Sequence, residues 1–268
     1  MQPFFNQNQV EKITSFAFEA GEIAAEFFKN KNFTTEKKSD HSKVTSADIA
    51  VSEFLAEKLK EEFPNIPVIC EEGKLREVLG EIFFLIDPID GTSSFTSGSV
   101  EFAVNIALVK NKKAVFGLIY APLFENGKMI FSDENNRVIS RNFSAEDKIL
   151  NDIFTSKSGV HIITSARTKD HDIEKYIEEF YPNFTQNFSV EKLSSAIKFF
   201  RLLEGKANLY LHFRPSMEWD TAAGQALVEL MGGKVKKLFF NPKNITIGEN
   251  LSYLKSDFTN QAFVATIE

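Results

Sequence analysis

Apolar residues in the first quarter of the chain recur at helical spacing and form two separate faces. The first face predicts one amphipathic helix; its members are Ile13, Phe16, Ala17, Ala20, Ile23, Ala24, Phe27 and Phe28. A second helix is predicted from near Ala47 to Phe63, with Phe54, Leu55 and Leu59 on its buried side. The chain therefore begins with two helices that each need an apolar partner.

Short apolar runs follow and predict an antiparallel sheet. The runs are "IFFLID", "FAVNIALV", "AVFGLIYA" and "KMIFS". The turn sequences "NKK" and "ENG" separate the later runs and favour hairpins. The first half is therefore predicted to be helices packed on an antiparallel sheet.

The second half alternates between strand and helix patterns. In chain order the segments are "GVHIIT" (strand), 170–180 (helix), "SSAIKFFRLLEG" (helix), "ANLYLHF" (strand), "WDTAAGQALVELMGG" (helix) and "KVKKLFF" (strand). This alternation predicts a smaller α/β lobe, with a boundary between residues 140 and 155. We therefore expect an α/β protein with two lobes, at residues 1–145 and 146–268.

Composition narrows the class of protein. The 268 residues are 43% hydrophobic and 25% charged, which is typical of a soluble globular chain. A net charge of -6 argues against binding to a nucleic acid polymer, which requires a basic surface. The sequence has neither a run of about 18 apolar residues nor the layout of a signal peptide, so we expect no integral membrane segment. The predicted location is the cytoplasm, with peripheral association with the inner membrane face as an alternative.

Two aspartates at the end of the run "FFLIDPIDGT" are the first candidates for chemistry. The apolar residues 82–86 place Asp87 at the carboxyl end of a strand, Pro88 should end the ladder, and Asp90-Gly91 supplies a turn. A hairpin turn alone would explain the pattern. However, two carboxylates held so close repel each other unless a cation lies between them. Oxygen ligands without Cys or His favour Mg²⁺ first and Mn²⁺ second.

Further acidic residues have simple structural explanations as well as functional ones. Glu71 and Glu72 follow an apolar strand at residues 67–70, where a solvated loop is the ordinary interpretation. Asp220 precedes a helix, where an N-cap is the default, although a helix N-terminus also binds phosphate oxygens. Thr45 and Asp48 have the spacing of a capping box.

The order of these motifs along the chain is more specific than any one of them. Asp48, then Glu71-Glu72, then "DPIDGT" at 87–92, then "WDTAAG" at 219–224, resembles the inositol monophosphatase superfamily of metal-dependent, lithium-sensitive phosphatases. The stretches "KSDHSKVTSADIAV", "EFAVNIALV" and "SSAIKFFRLLEGKANLY" are similar to the bacterial 3'(2'),5'-bisphosphate nucleotidases. The inositol phosphatases themselves usually have Val where Thr221 stands.

The resemblance implies a layered α-β-α-β-α fold and a specific reaction. The expected reaction removes the 3'-phosphate of adenosine 3',5'-bisphosphate, giving AMP and phosphate, by a metal-activated water. Inositol monophosphate and fructose 1,6-bisphosphate remain alternative substrates, because the same metal constellation hydrolyses all three. The implied partner is thus a small phosphate ester, and the protein would be a monomer or a homodimer.

The resemblance also implies a role for each motif residue. Glu71, Asp87 and the carbonyl of Ile89 would hold one Mg²⁺. Asp87, Asp90 and Asp220 would hold a second, and Glu71 would help to place a third through water. Thr92 would orient the attacking water with Asp48 as proton acceptor, and the amides of Gly91 and Thr92 would hold the phosphate. Mn²⁺ is expected to replace Mg²⁺, whereas Li⁺ and Ca²⁺ are expected to inhibit.

The sequence departs from the nucleotidase pattern in "TSSFTSGSVEF" and in "SARTKDHD". Candidates for contacting the second phosphate or the ribose are Arg167, Ser194, Ser195 and Lys198. Lys198 lies on a predicted amphipathic helix, so we expect its side chain to be exposed to solvent.

Three rival interpretations remain open at this point. Cys70 and Arg76 have the Cys-x5-Arg spacing of cysteine phosphatases, but Glu71 and Glu72 in that loop would repel a phosphate and raise the pKa of the thiol. "DPIDGT" is similar to the motif of aspartyl-nucleophile phosphatases, although the acids are three positions apart instead of two. A non-catalytic nucleotide-binding protein is the third. The four histidines, His41, His161, His171 and His212, show no zinc-ligand spacing.

Overall fold

The described part of the protein contains six helices and seventeen strands. The structure is a computed structural model that describes residues 3–37, 43–73, 80–143, 145–151, 159–185, 187–241 and 244–267. The helices of the described residues are α1 (Gln7–Asn30), α2 (Ser46–Glu62), α3 (Thr92–Ser97), α4 (Asp170–Phe180), α5 (Ile197–Leu203) and α6 (Glu218–Leu230). The strands are β1 (Thr35–Lys37), β2 (Lys43–Thr45), β3 (Val68–Cys70), β4 (Ile82–Asp90), β5 (Ala103–Lys110), β6 (Lys113–Ala121), β7 (Lys128–Ser132), β8 (Val138–Asn142), β9 (Lys148–Ile149), β10 (Val160–Ser165), β11 (Phe188–Leu193), β12 (Leu209–His212), β13 (Ser216–Met217), β14 (Lys234–Phe240), β15 (Ile245–Asn250), β16 (Thr259–Asn260) and β17 (Phe263–Thr266).

The larger sheet has seven strands in the order β3-β4-β5-β6-β7-β8-β9. All neighbours are antiparallel except β3 and β4, which run parallel with Cys70 beside Ile86. Because parallel strands end at the same edge of a sheet, this register brings Glu71 and Asp87 out side by side. The turn between β5 and β6 has positive φ at Asn111 and Lys112, which suits a tight hairpin. The predicted antiparallel sheet and its hairpins are therefore confirmed.

The smaller sheet has six strands in the order β11-β10-β12-β17-β14-β15. Its β10-β11 and β10-β12 pairs are parallel, and the remaining pairs are antiparallel. Strands β11 and β15 were absent from the sequence prediction. Both lie at the edges of the sheet and expose most of their residues, so they lack the apolar run that identifies a buried strand.

The helices and sheets stack in five layers, which confirms the predicted α-β-α-β-α fold. Helices α1 and α2 cover one face of the larger sheet, with Ile13, Val51 and Leu55 in their shared core. Helices α5 and α6 lie between the two sheets. Helix α4 covers the outer face of the smaller sheet through Ile173 and Tyr176. The layer between the sheets is what brings the two halves of the chain to one site.

A glycine in the larger sheet allows α6 to lie close to it. A Cβ on Gly117 of β6 would lie 2.2 Å from the carbonyl oxygen of Ala223 in α6. No side chain fits in that gap, so the backbones of strand and helix are in direct contact. This contact sets the height of α6, and therefore of Asp220, above the sheet.

The division at residues 145 and 146 stays a prediction. Strand β9 lies beyond residue 145 but pairs with β8, so the larger sheet extends to Ile149. The smaller sheet begins with β10 at Val160, and residues 152–158 of the expected boundary lie outside the described residues.

Two local expectations were wrong. Pro88 does not end the strand: β4 continues to Asp90, with a register shift against β5 between Asp87 and Asp90. A bulge skips the ladder bond that Pro88 cannot donate, so the proline is tolerated. Helix α5 begins at Ile197 and not at Ser194, because Ser195 has a left-handed φ of 57°.

A membrane-spanning helix was not expected. Within the described ranges, each helix is too short or too polar to cross a bilayer.

Candidate active site

A cleft of about 540 Å³ opens where the edges of the two sheets meet α3, α5 and α6. Its lining includes the predicted metal and phosphate residues Glu71, Asp87, Ile89, Asp90, Gly91, Thr92 and Asp220. It also includes Arg167, Ser194, Ser195 and Lys198, the candidates for a second phosphate. Residues from both halves of the sequence therefore share one cavity.

Three aspartates form a compact cluster in this cleft. Asp87, Asp90 and Asp220 each have a carboxylate oxygen within 4.8 Å of the others. Asp87 precedes the bulge in β4, Asp90 is the last residue of β4 after the bulge, and Asp220 lies in the first turn of α6. The bulge matters because it turns both β4 aspartates toward the same point.

The electrostatics of the cluster favour a cation. Asp87 is 1% exposed, and its Oδ1 has no hydrogen-bond partner among the described residues. Burial, then the charges of Glu71 and Asp90, raise the pKa of Asp87 well above its usual value. Burial raises the pKa of Asp90 to about 6, with Lys198 opposing, and burial and Asp90 raise the pKa of Asp220 well above normal. An all-oxygen set with a free buried oxygen fits a hard divalent cation.

Glu71 and the Ile89 carbonyl lie in the same cleft but outside the cluster of three aspartates. Glu71 lies close enough for its charge to raise the pKa of Asp87. The carbonyl oxygen of Ile89 lies 3.2 Å from the hydroxyl of Thr92. Both groups could complete the oxygen shell of a cation held by Asp87.

Asp48 has a structural role and also supports Thr92. The predicted capping box is confirmed: the Thr45 amide and hydroxyl donate to Asp48 Oδ2 at 2.8 and 2.5 Å. The other oxygen, Oδ1, lies 3.2 Å from the Thr92 hydroxyl. Burial raises the pKa of Asp48, which makes its carboxylate a stronger base than an exposed one. The cap of α2 therefore also holds Asp48 within hydrogen-bond distance of the Thr92 hydroxyl.

Gly91 is required by its backbone and its neighbours. Its φ is +94°, and a Cβ there would lie 2.9 Å from the Glu101 carbonyl oxygen and 3.0 Å from Ser195 Cβ. Helix α3 begins at the next residue, Thr92, as expected for amides that face a phosphate.

Asp220, by contrast, is the third residue of α6 and not its N-cap. Its Oδ2 accepts the Met217 amide at 2.9 Å.

The prediction that Lys198 is solvent-exposed was wrong. Lys198 is only 4% exposed. Its Nζ donates a hydrogen bond to the Ser195 carbonyl oxygen and lies 5.6 Å from the centroid of the Tyr210 ring. Burial lowers the pKa of Lys198 to about 8, with Asp90 and Asp220 opposing. Arg167 remains exposed at the rim, where its carbonyl accepts from Arg214 at 3.1 Å.

The sequence reasoning missed several residues of the cleft. Tyr210 and His212 of β12 both line it, as do Arg214 and Ser216. Burial lowers the pKa of His212 to about 3, and its ring stacks on Phe263 with centroids 5.1 Å apart. Residues two apart on a strand share a face, so the predicted strand "ANLYLHF" carried a signal that Tyr210 and His212 act together.

The rival cysteine-phosphatase chemistry finds no support in the described residues. Burial raises the pKa of the Cys70 thiol to about 11, and Cys70 Sγ lies 2.9 Å from Ser52 Oγ. A thiol with a raised pKa is a poor nucleophile. Arg76 and His41 lie outside the described residues, and the metal cluster within the described ranges contains no histidine.

Comparisons with known proteins place these observations in a family. The profile of the inositol monophosphatase family matches residues 6–262. The 3'(2'),5'-bisphosphate nucleotidase CysQ of Salmonella typhimurium is 29% identical over 264 residues, covering 96% of this chain and 99% of that protein. The nucleotidase CysQ of Buchnera aphidicola is 28% identical over 256 residues, covering 94% and 93%.

Solved structures agree at the level of the fold. CysQ from Bacteroides thetaiotaomicron, a bacterial member of the inositol monophosphatase family, superposes with a TM-score of 0.76 at 26% identity over 98% of both chains. A staphylococcal inositol monophosphatase reaches a TM-score of 0.74 at 16% identity, covering 98% of this chain and 92% of that one. The layered fold is therefore common to relatives with different names.

Proposed function

The chain belongs to the inositol monophosphatase family, and from this premise we propose that it is a 3'(2'),5'-bisphosphate nucleotidase. The proposed reaction removes the 3'-phosphate of adenosine 3',5'-bisphosphate and yields AMP and phosphate. The observation that carries the chemistry is the cluster of Asp87, Asp90 and Asp220, with an unpartnered oxygen on the buried Asp87. The similarity to two nucleotidases over more than nine-tenths of the chain supports the choice of substrate.

The acidic cluster would hold Mg²⁺, with two to three ions and Mn²⁺ as a substitute. Asp87, Asp90 and Asp220 would be ligands, completed by Glu71 and the Ile89 carbonyl. When bound, divalent cations neutralise the charge of a phosphate and lower the pKa of a water molecule. Metal dependence is general in this family, whereas the number of ions and inhibition by Li⁺ and Ca²⁺ belong to the proposal.

The protein residues would orient and deprotonate the attacking water. The Thr92 hydroxyl lies 3.2 Å from Asp48 Oδ1 and would link that carboxylate to the water. Asp48 would accept the proton, because its burial raises its pKa and Thr45 fixes its orientation. The amides of Gly91 and Thr92, at the start of α3, would hold the oxygens of the phosphate.

A bisphosphate needs a second anion site, and the cleft offers cations for it. Lys198 lies inside the cleft and the exposed Arg167 at its rim, and Ser194 and Ser195 also line it. These basic side chains would attract an anion with two phosphate groups, although the net charge of the chain is -6. A cytoplasmic location and a monomeric or homodimeric state stay predictions.

The test compares phosphate release from adenosine 3',5'-bisphosphate and from inositol 1-phosphate with Mg²⁺, with EDTA, and with added Li⁺ or Ca²⁺. We expect the nucleotide to be preferred and EDTA to abolish turnover. Asp90→Asn should lower kcat/KM by about a hundredfold or more, since loss of groups that merely support a metal ligand already costs up to that much. Glu174→Gln, an exposed carboxylate of α4, is the matched control.

Each alternative has its own outcome in this experiment. If inositol 1-phosphate is preferred, the proposed metal site stands and the proposed nucleotide substrate is refuted. Turnover that survives both EDTA and Asp90→Asn would refute the metal-dependent mechanism itself.

A further inference from the structure

A short turn between β11 and α5 lines the cleft and has a backbone conformation that is unfavourable without stabilising contacts. Residues 194–196 form this turn, and its middle residue, Ser195, has a left-handed φ of 57°. Non-glycine residues rarely adopt that region unless surrounding contacts hold them there. The Ser195 carbonyl also accepts the hydrogen bond from Lys198 Nζ. The position of Lys198 in the cleft therefore depends on this turn.

Two carboxylates from the other half of the chain hold the turn from its two sides. Asp90 Oδ2 accepts the Ala196 amide, and Glu101 Oε2 accepts the Ser194 amide at 2.7 Å. Between them Ser195 packs on Gly91, where an added Cβ would lie only 3.0 Å from Ser195 Cβ. The turn is thus clamped against the loop that carries Asp90 and Gly91.

The two carboxylates are not equivalent. Asp90 belongs to the aspartate cluster, so a bound cation would compete with the turn for its carboxylate oxygens. Glu101 lies in the loop between α3 and β5, is not a member of that cluster, and lines no part of the cleft among the described residues. Its charge also lies close enough to act on Lys198. Glu101 is therefore the acceptor that can hold the turn whether or not a cation is bound.

We propose that Glu101 is a positioning residue that fixes the 194–196 turn, so that Ser195 and Lys198 are presented to the anionic substrate. This role rests on the proposed function, because it assumes that the cleft binds a phosphate ester. Glu101 acts through its hydrogen bond to the Ser194 amide. It contacts neither the substrate nor the metal.

The role predicts a specific pattern among variants. Glu101→Ala removes the acceptor, and we expect KM for adenosine 3',5'-bisphosphate to rise about tenfold, the equivalent of one charge-assisted hydrogen bond, with kcat within about twofold. Glu101→Gln keeps a side-chain oxygen at the same distance from the backbone, so its KM should be within about twofold of the wild-type value. Glu101→Asp is one methylene shorter and should behave like Glu101→Ala. Glu174→Ala on the surface of α4 should leave KM unchanged.

A second readout separates positioning from loss of the metal site. Trp219 is the only tryptophan in the chain, lines the cleft and precedes Asp220, so its fluorescence reports Mg²⁺ binding without turnover. We expect the Mg²⁺ titration of Glu101→Ala to match that of wild type, and melting curves to show a folded protein. If the alanine variant does not fold, Glu101→Asp and Glu101→Gln carry the comparison.

Several outcomes would overturn the role. An unchanged KM in Glu101→Ala and Glu101→Asp would refute it, as would a glutamine variant as impaired as the alanine one. A loss of Mg²⁺ binding as large as the loss in KM would make Glu101 part of the metal site instead. If wild type does not hydrolyse the nucleotide, the proposed function fails separately, and the ratio of variant to wild type is then measured on inositol 1-phosphate.

Discussion

Lys198 shows how one buried cation can balance an acidic site. It lies in the cleft with Asp90 and Asp220, whose charges oppose the lowering of its pKa by burial. Replacing it with methionine keeps the apolar stem and removes the ammonium group. We expect Lys198→Met to raise KM for adenosine 3',5'-bisphosphate by roughly ten- to a hundredfold, the range for a hydrogen bond to a charged group.

The comparison that isolates this effect uses both substrates. Inositol 1-phosphate has one phosphate, so its KM should rise less than that of the bisphosphate in Lys198→Met. Lys60→Met on the exposed end of α2 is the control. Equal increases for both substrates would place Lys198 at the scissile phosphate and not at the second one.

Lys198 also illustrates what sequence reasoning at single residues can and cannot provide. The motifs that contain Asp87, Asp90 and Asp220 are local, so the grouping of these three residues at one site was predictable from the sequence. The burial of Lys198 arises because α5 lies between the two sheets, and Glu101 meets Ser194 across 93 positions of sequence. Contacts of this kind follow from the packing of distant elements, for which a single sequence carries no local pattern.

At the scale of elements, the position of α6 decides whether Asp220 joins the two aspartates of β4. Gly117 sets that position, because a Cβ there would lie 2.2 Å from the Ala223 carbonyl. We expect Gly117→Ala to destabilise the protein by about 1–3 kcal/mol, as for other overpacked cores. Because α6 must move outward, Mg²⁺ affinity measured by Trp219 fluorescence should also fall. A normal Mg²⁺ titration in a destabilised variant would show that α6 shifts without moving Asp220.

The element boundaries show where sequence patterns were sufficient. Strands β4, β5 and β6 and helices α1, α4 and α6 bury continuous or periodic apolar residues, and each was found near its observed position. The path of the chain at Pro88 and Ser195 could not be predicted, since a bulge and a left-handed residue are both stabilised by contacts with other elements. These two irregularities lie in the active site, which is where local rules are most often broken.

At the scale of the whole molecule, the acidic cluster couples stability to pH and to metal. In the metal-free protein, burial raises the pKa of Asp87, Asp90 and Asp220. The folded state then binds more protons than the unfolded state, whose aspartates titrate near pH 4. This contribution to stability is fully present below about pH 4. It is lost as the pH rises through the pKa values of the folded state, and for Asp90 that pKa is about 6. Mg²⁺ should restore it at neutral pH by taking the place of the protons.

Asp87→Asn tests this coupling, because asparagine cannot carry the buried charge. At pH 7.5 in EDTA we expect the variant to melt at a higher temperature than wild type, because only wild type then has a buried carboxylate without a partner. At pH 3.5 the two should melt within about 1 °C of each other, because Asp87 is then protonated in the folded wild type and largely protonated in the unfolded chain. Added Mg²⁺ should raise the melting temperature of wild type only and abolish the advantage of the variant. A variant that is less stable than wild type in EDTA at pH 7.5 would mean that Asp87 has a stabilising partner in the metal-free protein, contrary to its unpartnered Oδ1.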